Sequence, residues 1–163
     1  MAVNSVVAES VAVDSVAVDK VRNFGFLAKD VSRLSAKLFE RHARERALAL
    51  PMSQCKVLAL LARHEGISQA RLADLTETDP MTLVRTLDRM QQDGLIERRA
   101  DPAHRRAHRL YLLDEARPIV ERIWEIAGET RSAALAALSQ GEREQLVELL
   151  ERVHRTMLAL EPK

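Results

Sequence analysis

Thr82, Arg85, Thr86 and Arg89 recur at steps of three and four residues, the spacing that puts side chains on one face of an α-helix. An arginine can donate two hydrogen bonds to a guanine edge, and a threonine methyl can pack on the methyl of thymine. Such a face can read base edges in a DNA major groove. Downstream, the segment from Leu95 to Leu110 holds five arginines, Arg98, Arg99, Arg105, Arg106 and Arg109, against Glu97 and Asp101. A planar, weakly hydrated guanidinium suits narrow A/T-rich minor grooves. Either feature alone is equally a solvated surface. It is the basic segment following directly on the helix that favours nucleic acid.

Other reactive groups carry less. Cys55 shares a helix with Val57, Leu58 and Leu61, where a lone cysteine is ordinarily a small core residue. Lys56 beside it could lower the thiol pKa, and a thiol-based redox sensor is the alternative that follows. His104 and His108 are four apart, but on a hairpin that spacing is not diagnostic of a metal site. His42, His64 and His154 fall on separate helices. There is no Gly-rich phosphate loop, nucleophile elbow or His-Glu-x-x-His. The expectation is no metal, no cofactor and no enzyme activity.

The elements around these residues have helix-turn-helix proportions. Ser68 is an N-cap for a short helix with Leu72 and Leu75 turned inward. Asp79-Pro80 opens the next, pairing a capping oxygen with proline at the first helical position. That helix carries Leu83, Leu87 and Met90 on the side opposite the arginines and stops at Gly94. In this motif the second helix enters the major groove by its N-terminal residues, and a helix N-terminus with unpaired amides is a natural phosphate site. Candidate DNA contacts are therefore Ser68, Gln69, Pro80, Thr82, Arg85, Thr86, Arg89, Arg105 and Arg106. Two alternating stretches, Leu95 to Arg99 and His108 to Leu112, predict a hairpin joined by a loop over Ala100 to Ala107.

The flanks are helical too. Leu27, Val31, Leu34 and Leu38 mark a helix from Phe24 to about Ala47, and Pro51 opens a second, ending near His64 to Gly66. Asp114 is a candidate cap for a helix carrying Ile119, Val120, Ile123, Trp124 and Ala127, with Pro118 in its first turn. Ser139 and Glu142 form a capping box before a stripe of Leu146, Leu149, Leu150, Val153 and Met157. Pairing the first and last helices between two chains would bury both stripes and fix two recognition helices about 34 Å apart. Residues 1–22 contain a five-residue Val/Ala repeat that matches neither helix nor strand periodicity, and read as a low-complexity arm or as padding at a dimer interface.

Composition agrees with a helical class. The 163 residues include five glycines and five prolines, too few for an all-β fold, and 25 basic residues nearly cancel 24 acidic ones. The positive charge is local: residues 114–163 hold ten acidic and seven basic groups. One cysteine excludes an internal disulfide and suits a reducing compartment. Neither a secretory signal nor a membrane-spanning run is evident, so the expectation is cytoplasmic. The fold class expected is mainly α with a small β-hairpin wing. It divides into an arm (1–22), a dimerisation helix (23–50), a winged helix-turn-helix (51–113) and C-terminal dimerisation helices (114–163). A helical protein-interaction module without DNA binding is the competing reading.

The run from Thr82 to Met90, then Asp93 to Arg99, Asp101-Pro102 and Arg105-Arg106, resembles the MarR family of bacterial regulators. The similarity starts at Gly25-Phe26-Leu27, includes Ser68 to Ala73 and extends through the helix of Trp124. It implies a homodimer on a pseudo-palindromic operator. It also implies a repressor released by a small, often phenolic or aromatic ligand bound between the dimerisation and DNA-binding regions. Phe26, Phe39, Cys55 and Trp124 are candidate liners of that site. Thr82, Arg85, Thr86 and Arg89 fall on the family's major-groove helix, and Arg106 at its minor-groove wing position. His104 stands where the family commonly has an aspartate that orients the wing arginine, and Asp101 is the nearest carboxylate to replace it.

Overall fold

The computed structural model describes residues 23–101 and 104–160, with the backbone alone at 104–107. The elements are α1 (Phe24–Glu45), α2 (Met52–Leu61), β1 (Ile67–Ser68), α3 (Gln69–Thr76), α4 (Pro80–Gln92), β2 (Ile96–Asp101) and β3 (His104–Leu112). A 3-10 turn (Asp114–Ala116), α5 (Arg117–Ala134) and α6 (Gln140–Leu160) follow. The chain divides into two compact units, residues 1–38 and 39–163. The arm foreseen at 1–22 lies outside the described residues.

In the first unit α1 buries none of its apolar stripe: Leu27, Val31 and Leu34 are all more than half exposed. The second unit has one core. Val57, Leu58 and Leu61 of α2, Leu72 of α3, and Leu83, Leu87 and Met90 of α4 close over Ile96, Leu110 and Leu112 of the sheet, with Val120 and Ile123 of α5. Apolar residues at three- and four-residue spacing on α4 make one face core and leave the other polar.

The sheet is antiparallel, ordered β1-β3-β2, and differs from the sequence reading in two ways. β1 has only two residues, too few to show a period, and pairs Ile67 with Leu110 and Ser68 with Arg109. The hairpin strands also run further than their alternation reached. Asp101 pairs with His104 after an irregularity at Ala100/Asp101, so strand pairing extends into the segment Ala100 to Ala107 that was expected to be loop. Toward the tip the sequence carries no apolar alternation, so pairing there has no pattern to betray it.

Helix ends follow their caps with one exception. The Ser139 amide and hydroxyl both donate to Glu142 Oε2, at 2.8 and 2.7 Å. These bonds hold the Glu142 carboxyl below the usual carboxylate range. Asp114 does not cap α5. Its carboxylate accepts from Arg117 Nε at 2.9 Å, residues 114–116 form the 3-10 turn, and α5 begins at Arg117 with Pro118 in its first turn. On α6 no residue is buried. Leu146, Leu149, Leu150, Val153 and Met157 all face solvent.

Two glycines take left-handed backbone, Gly66 (φ 79°) and Gly94 (φ 70°). A Cβ on Gly66 would stand 3.1 Å from the Tyr111 hydroxyl, whereas one on Gly94 meets nothing within 4 Å. Gly94→Ala is expected to cost about 1 kcal/mol from backbone strain alone, and Gly66→Ala more, because the Tyr111 ring must also shift. Urea denaturation of the two variants checks this; equal midpoints would contradict it.

Candidate nucleic-acid interface

The helix-turn-helix is held by short-range hydrogen bonds that the sequence types dictate. The Ser68 hydroxyl accepts from Arg71 N at 3.2 Å and starts α3. At the other end Thr76 is buried, and its hydroxyl donates back to Leu72 O at 2.8 Å. Glu77 then turns left-handed, φ 51°, and Glu77 N and Thr78 N reach back to Asp74 O and Ala73 O, each at 3.1 Å. This double closure satisfies the last carbonyls of a helix. Asp79 Oδ1 accepts from Met81 N and Thr82 N, both at 3.0 Å, and opens α4.

That cap corrects one expectation. The amides at the start of α4 are not free for a phosphate: Pro80 has none, Met81 and Thr82 donate to Asp79 Oδ1, and Leu83 N donates to Asp79 O at 2.9 Å. The carboxylate already fills the position an external anion would take.

The outward face of α4 is as the spacing predicted. Thr82, Arg85 and Arg89 are exposed and Thr86 half-buried, while Leu83, Leu87 and Met90 are buried. The four are not equivalent. Thr86 donates its hydroxyl to Thr82 O at 3.0 Å, so its methyl is the group left uncommitted. Arg89 Nε pairs with Asp93 Oδ2 at 3.0 Å. Arg85 makes no hydrogen bond or ion pair with any described residue. Ser68 and Gln69 are half-buried and Pro80 exposed, where β1 meets α3 and at the head of α4.

The hairpin arginines divide. Arg98 reaches across to α4, binding Asp88 Oδ1 at 2.7 Å and Gln91 Oε1 at 2.8 Å, with its side chain 18% exposed. Arg99 binds Glu97 and lies 4.2 Å over the Tyr111 ring. Arg109 pairs with Asp101 Oδ2 at 3.0 Å and donates to Gly66 O at 3.1 Å. These three are struts of the fold. Arg105 and Arg106 lie on β3 near the hairpin tip; their side chains, like that of His104, lie outside the described residues. The Asp101 carboxylate, 5% exposed, is engaged with Arg109.

The candidate ligand residues are dispersed. Phe39 lines a cleft of about 240 Å³ with Glu40, Ala43, Arg44, Leu48, Leu50, Pro51 and Met52. Cys55 is in the core, its thiol donating to Leu50 O at 3.8 Å. Trp124 is 38% exposed on α5, under Arg63 at 4.9 Å. Phe26 belongs to the first unit and is 79% exposed. None of the described helices is long and apolar enough to cross a membrane.

The sequence matches the MarR family model over residues 50–108. A probable transcriptional regulator from Pseudomonas aeruginosa is 31% identical, over 83% of this chain and 97% of that one, with a TM-score of 0.64. The chain belongs to the MarR family. It is thus a transcriptional regulator with a winged-helix fold. A mutant MarR from Escherichia coli in complex with operator DNA shares that fold at 24% identity and TM-score 0.68, over 83% and 96% of the two chains. So does Bordetella bronchiseptica BpsR, whose DNA binding is regulated by 6-hydroxynicotinic acid, at 23% identity and TM-score 0.68, over 81% and 98%.

Lys56, the neighbour that could lower the Cys55 thiol pKa, is engaged elsewhere. Adjacent residues on a helix point about 100° apart, and the Lys56 ammonium turns away to Thr76 O, at 2.7 Å. Burial instead pushes the Cys55 thiol up. A raised pKa leaves less thiolate at neutral pH, so this regulator's thiol should react slowly with iodoacetamide until urea unfolds the protein. Rapid alkylation of the native protein would contradict the burial.

Proposed function

We propose that this MarR-family regulator binds a pseudo-palindromic operator as a homodimer, represses transcription, and releases DNA when a small ligand binds. One observation carries the DNA-binding reading: α4 turns Leu83, Leu87 and Met90 inward and displays Thr82, Arg85, Thr86 and Arg89, with Arg85 unpaired among the described residues. In this role Arg85 reads a guanine, the Thr86 methyl packs on a thymine, and Ser68, Gln69 and Pro80 flank the phosphate backbone. Arg105 and Arg106 reach the adjacent minor groove.

Dimerisation is supported by the exposed apolar stripes of α1 and α6, which water disfavours and a second copy would cover. The E. coli relative bound to operator DNA and BpsR, regulated by 6-hydroxynicotinic acid, support the DNA partner and a small effector. The lining of the cleft at Phe39 includes an aromatic residue, Phe39, and a basic one, Arg44, a combination suited to a small aromatic acid. Phe26, Cys55 and Trp124 are not among the residues that line that cleft. A buried, protonated Cys55 does not favour redox sensing. A regulator of transcription works where the chromosome is, which in a bacterium is the cytoplasm.

The test is fluorescence anisotropy on a duplex enriched from a random library by the wild-type protein, across a salt series. Arg85→Ala should relax base preference, costing about 1 to 3 kcal/mol at one position. Arg106→Ala should weaken binding on all sequences and lower the salt slope by about one. A uniform loss for Arg85→Ala would reassign it to phosphate, and unchanged affinity for Arg106→Ala would remove the wing from the interface.

A further inference from the structure

Lys56 on α2 holds the helix-turn-helix from outside it, at the end of α3. Its ammonium donates to Thr76 O at 2.7 Å, twenty residues along the chain. Thr76 O is among the last carbonyls of α3, a group with no partner inside its own helix. Thr78 Oγ donates to the same oxygen at 3.2 Å. A cation there satisfies the acceptor and sits at the negative end of the α3 dipole.

The place of this bond gives it consequences. Thr76 is followed by the left-handed Glu77, then Thr78 and the capping Asp79. Those three residues are the whole link between α3 and α4. A non-glycine residue in the left-handed region brings its Cβ close to the following carbonyl oxygen, so this turn keeps its geometry only while its surroundings hold it. Within the turn the hydrogen bonds are local, from Glu77 and Thr78 back to α3. Lys56 ties the end of α3 to α2, a helix of the core, and so fixes the point from which α4 departs.

We propose that Lys56 is a positioning residue for operator recognition. It touches no base; it sets the angle at which α4 presents Arg85 by holding the Thr76 carbonyl. This role rests on the DNA-binding reading above. Loss of the ammonium should loosen the turn without removing a phosphate contact. Specific affinity should then fall while non-specific affinity and salt dependence stay. A lysine that instead contacts the backbone of DNA would lower both affinities and the salt slope.

The experiment compares full-length wild type, Lys56→Met and Lys56→Arg. Lys56→Met keeps the apolar stem, and Lys56→Arg keeps a charged donor. Amide hydrogen exchange at Glu77 and Thr78 reads the turn. Anisotropy reads binding to the duplex enriched by wild type and to a shuffled duplex of the same composition. Lys56→Met should exchange faster at those amides and lose about tenfold in the ratio of specific to non-specific affinity, the worth of one misplaced base contact. Its salt slope should be unchanged, and Lys56→Arg should recover most of the ratio. An unchanged ratio or unchanged exchange in Lys56→Met would overturn the proposal, as would a parallel loss on both duplexes with a shallower salt slope. If Lys56→Met does not fold, Lys56→Ala, which also removes the donor, takes its place under the same criteria. A wild-type protein that enriches no sequence would overturn the DNA-binding reading itself, and this role with it.

Discussion

Leu83, Leu87 and Met90 can all be buried in only one rotation of α4 about its axis, and they are among the most completely buried side chains of the domain. Turning the helix by about half a turn would expose all three and bring Arg85 toward the core. Each of those leucines is worth about 1.5 to 3 kcal/mol on burial, and an unpaired guanidinium inside costs more still. The outward direction of Thr82, Arg85, Thr86 and Arg89 is therefore a by-product of the core. The rest of the domain limits the remaining freedoms: the Asp79 cap fixes where α4 starts, the turn at Glu77 fixes its departure from α3, and Arg98 ties its far end to the sheet.

Charge is allotted with the same division. The chain is nearly neutral, and most hairpin cations that can be followed are spent within the domain. Arg98, Arg99 and Arg109 each have carboxylate partners. Arg89 pairs along its own helix. Arg85 has none among the described residues, and so loses no internal partner when it meets an external acceptor. A tally of arginines over the hairpin overstates what is free to act. The exposed stripes of α1 and α6 are the complementary case, apolar surface left without a cover among the described residues.

The parts of this arrangement legible in the sequence are those set by residues close along the chain. Asp79-Pro80 announced the start of α4, Ser139 and Glu142 announced α6, and the three- and four-residue spacing of Leu83, Leu87 and Met90 gave its buried face. Contacts between distant residues left no such mark. Nothing in the local pattern pairs Arg98 with Asp88, Arg109 with Gly66, or Lys56 with Thr76, because each depends on how separate elements pack. β1 was invisible for want of length. The wing extended past its readable alternation because backbone pairing needs no side-chain pattern. Phe26, Phe39, Cys55 and Trp124 were grouped by residue type, and type does not bring side chains together; of these, Phe39 lines a cleft and Cys55 fills the core.

The central claim is that α4 meets the duplex through its polar face in the major groove, once per subunit of a dimer. Methylation protection at guanine N7, an atom that lies in the major groove, tests it on the duplex the wild-type protein enriches. Two protected clusters about 10 base pairs apart on one face of the DNA are the expected result. A single cluster would contradict the dimer, and undiminished methylation of every guanine in a bound, G-containing site would contradict the entry of α4 into the major groove.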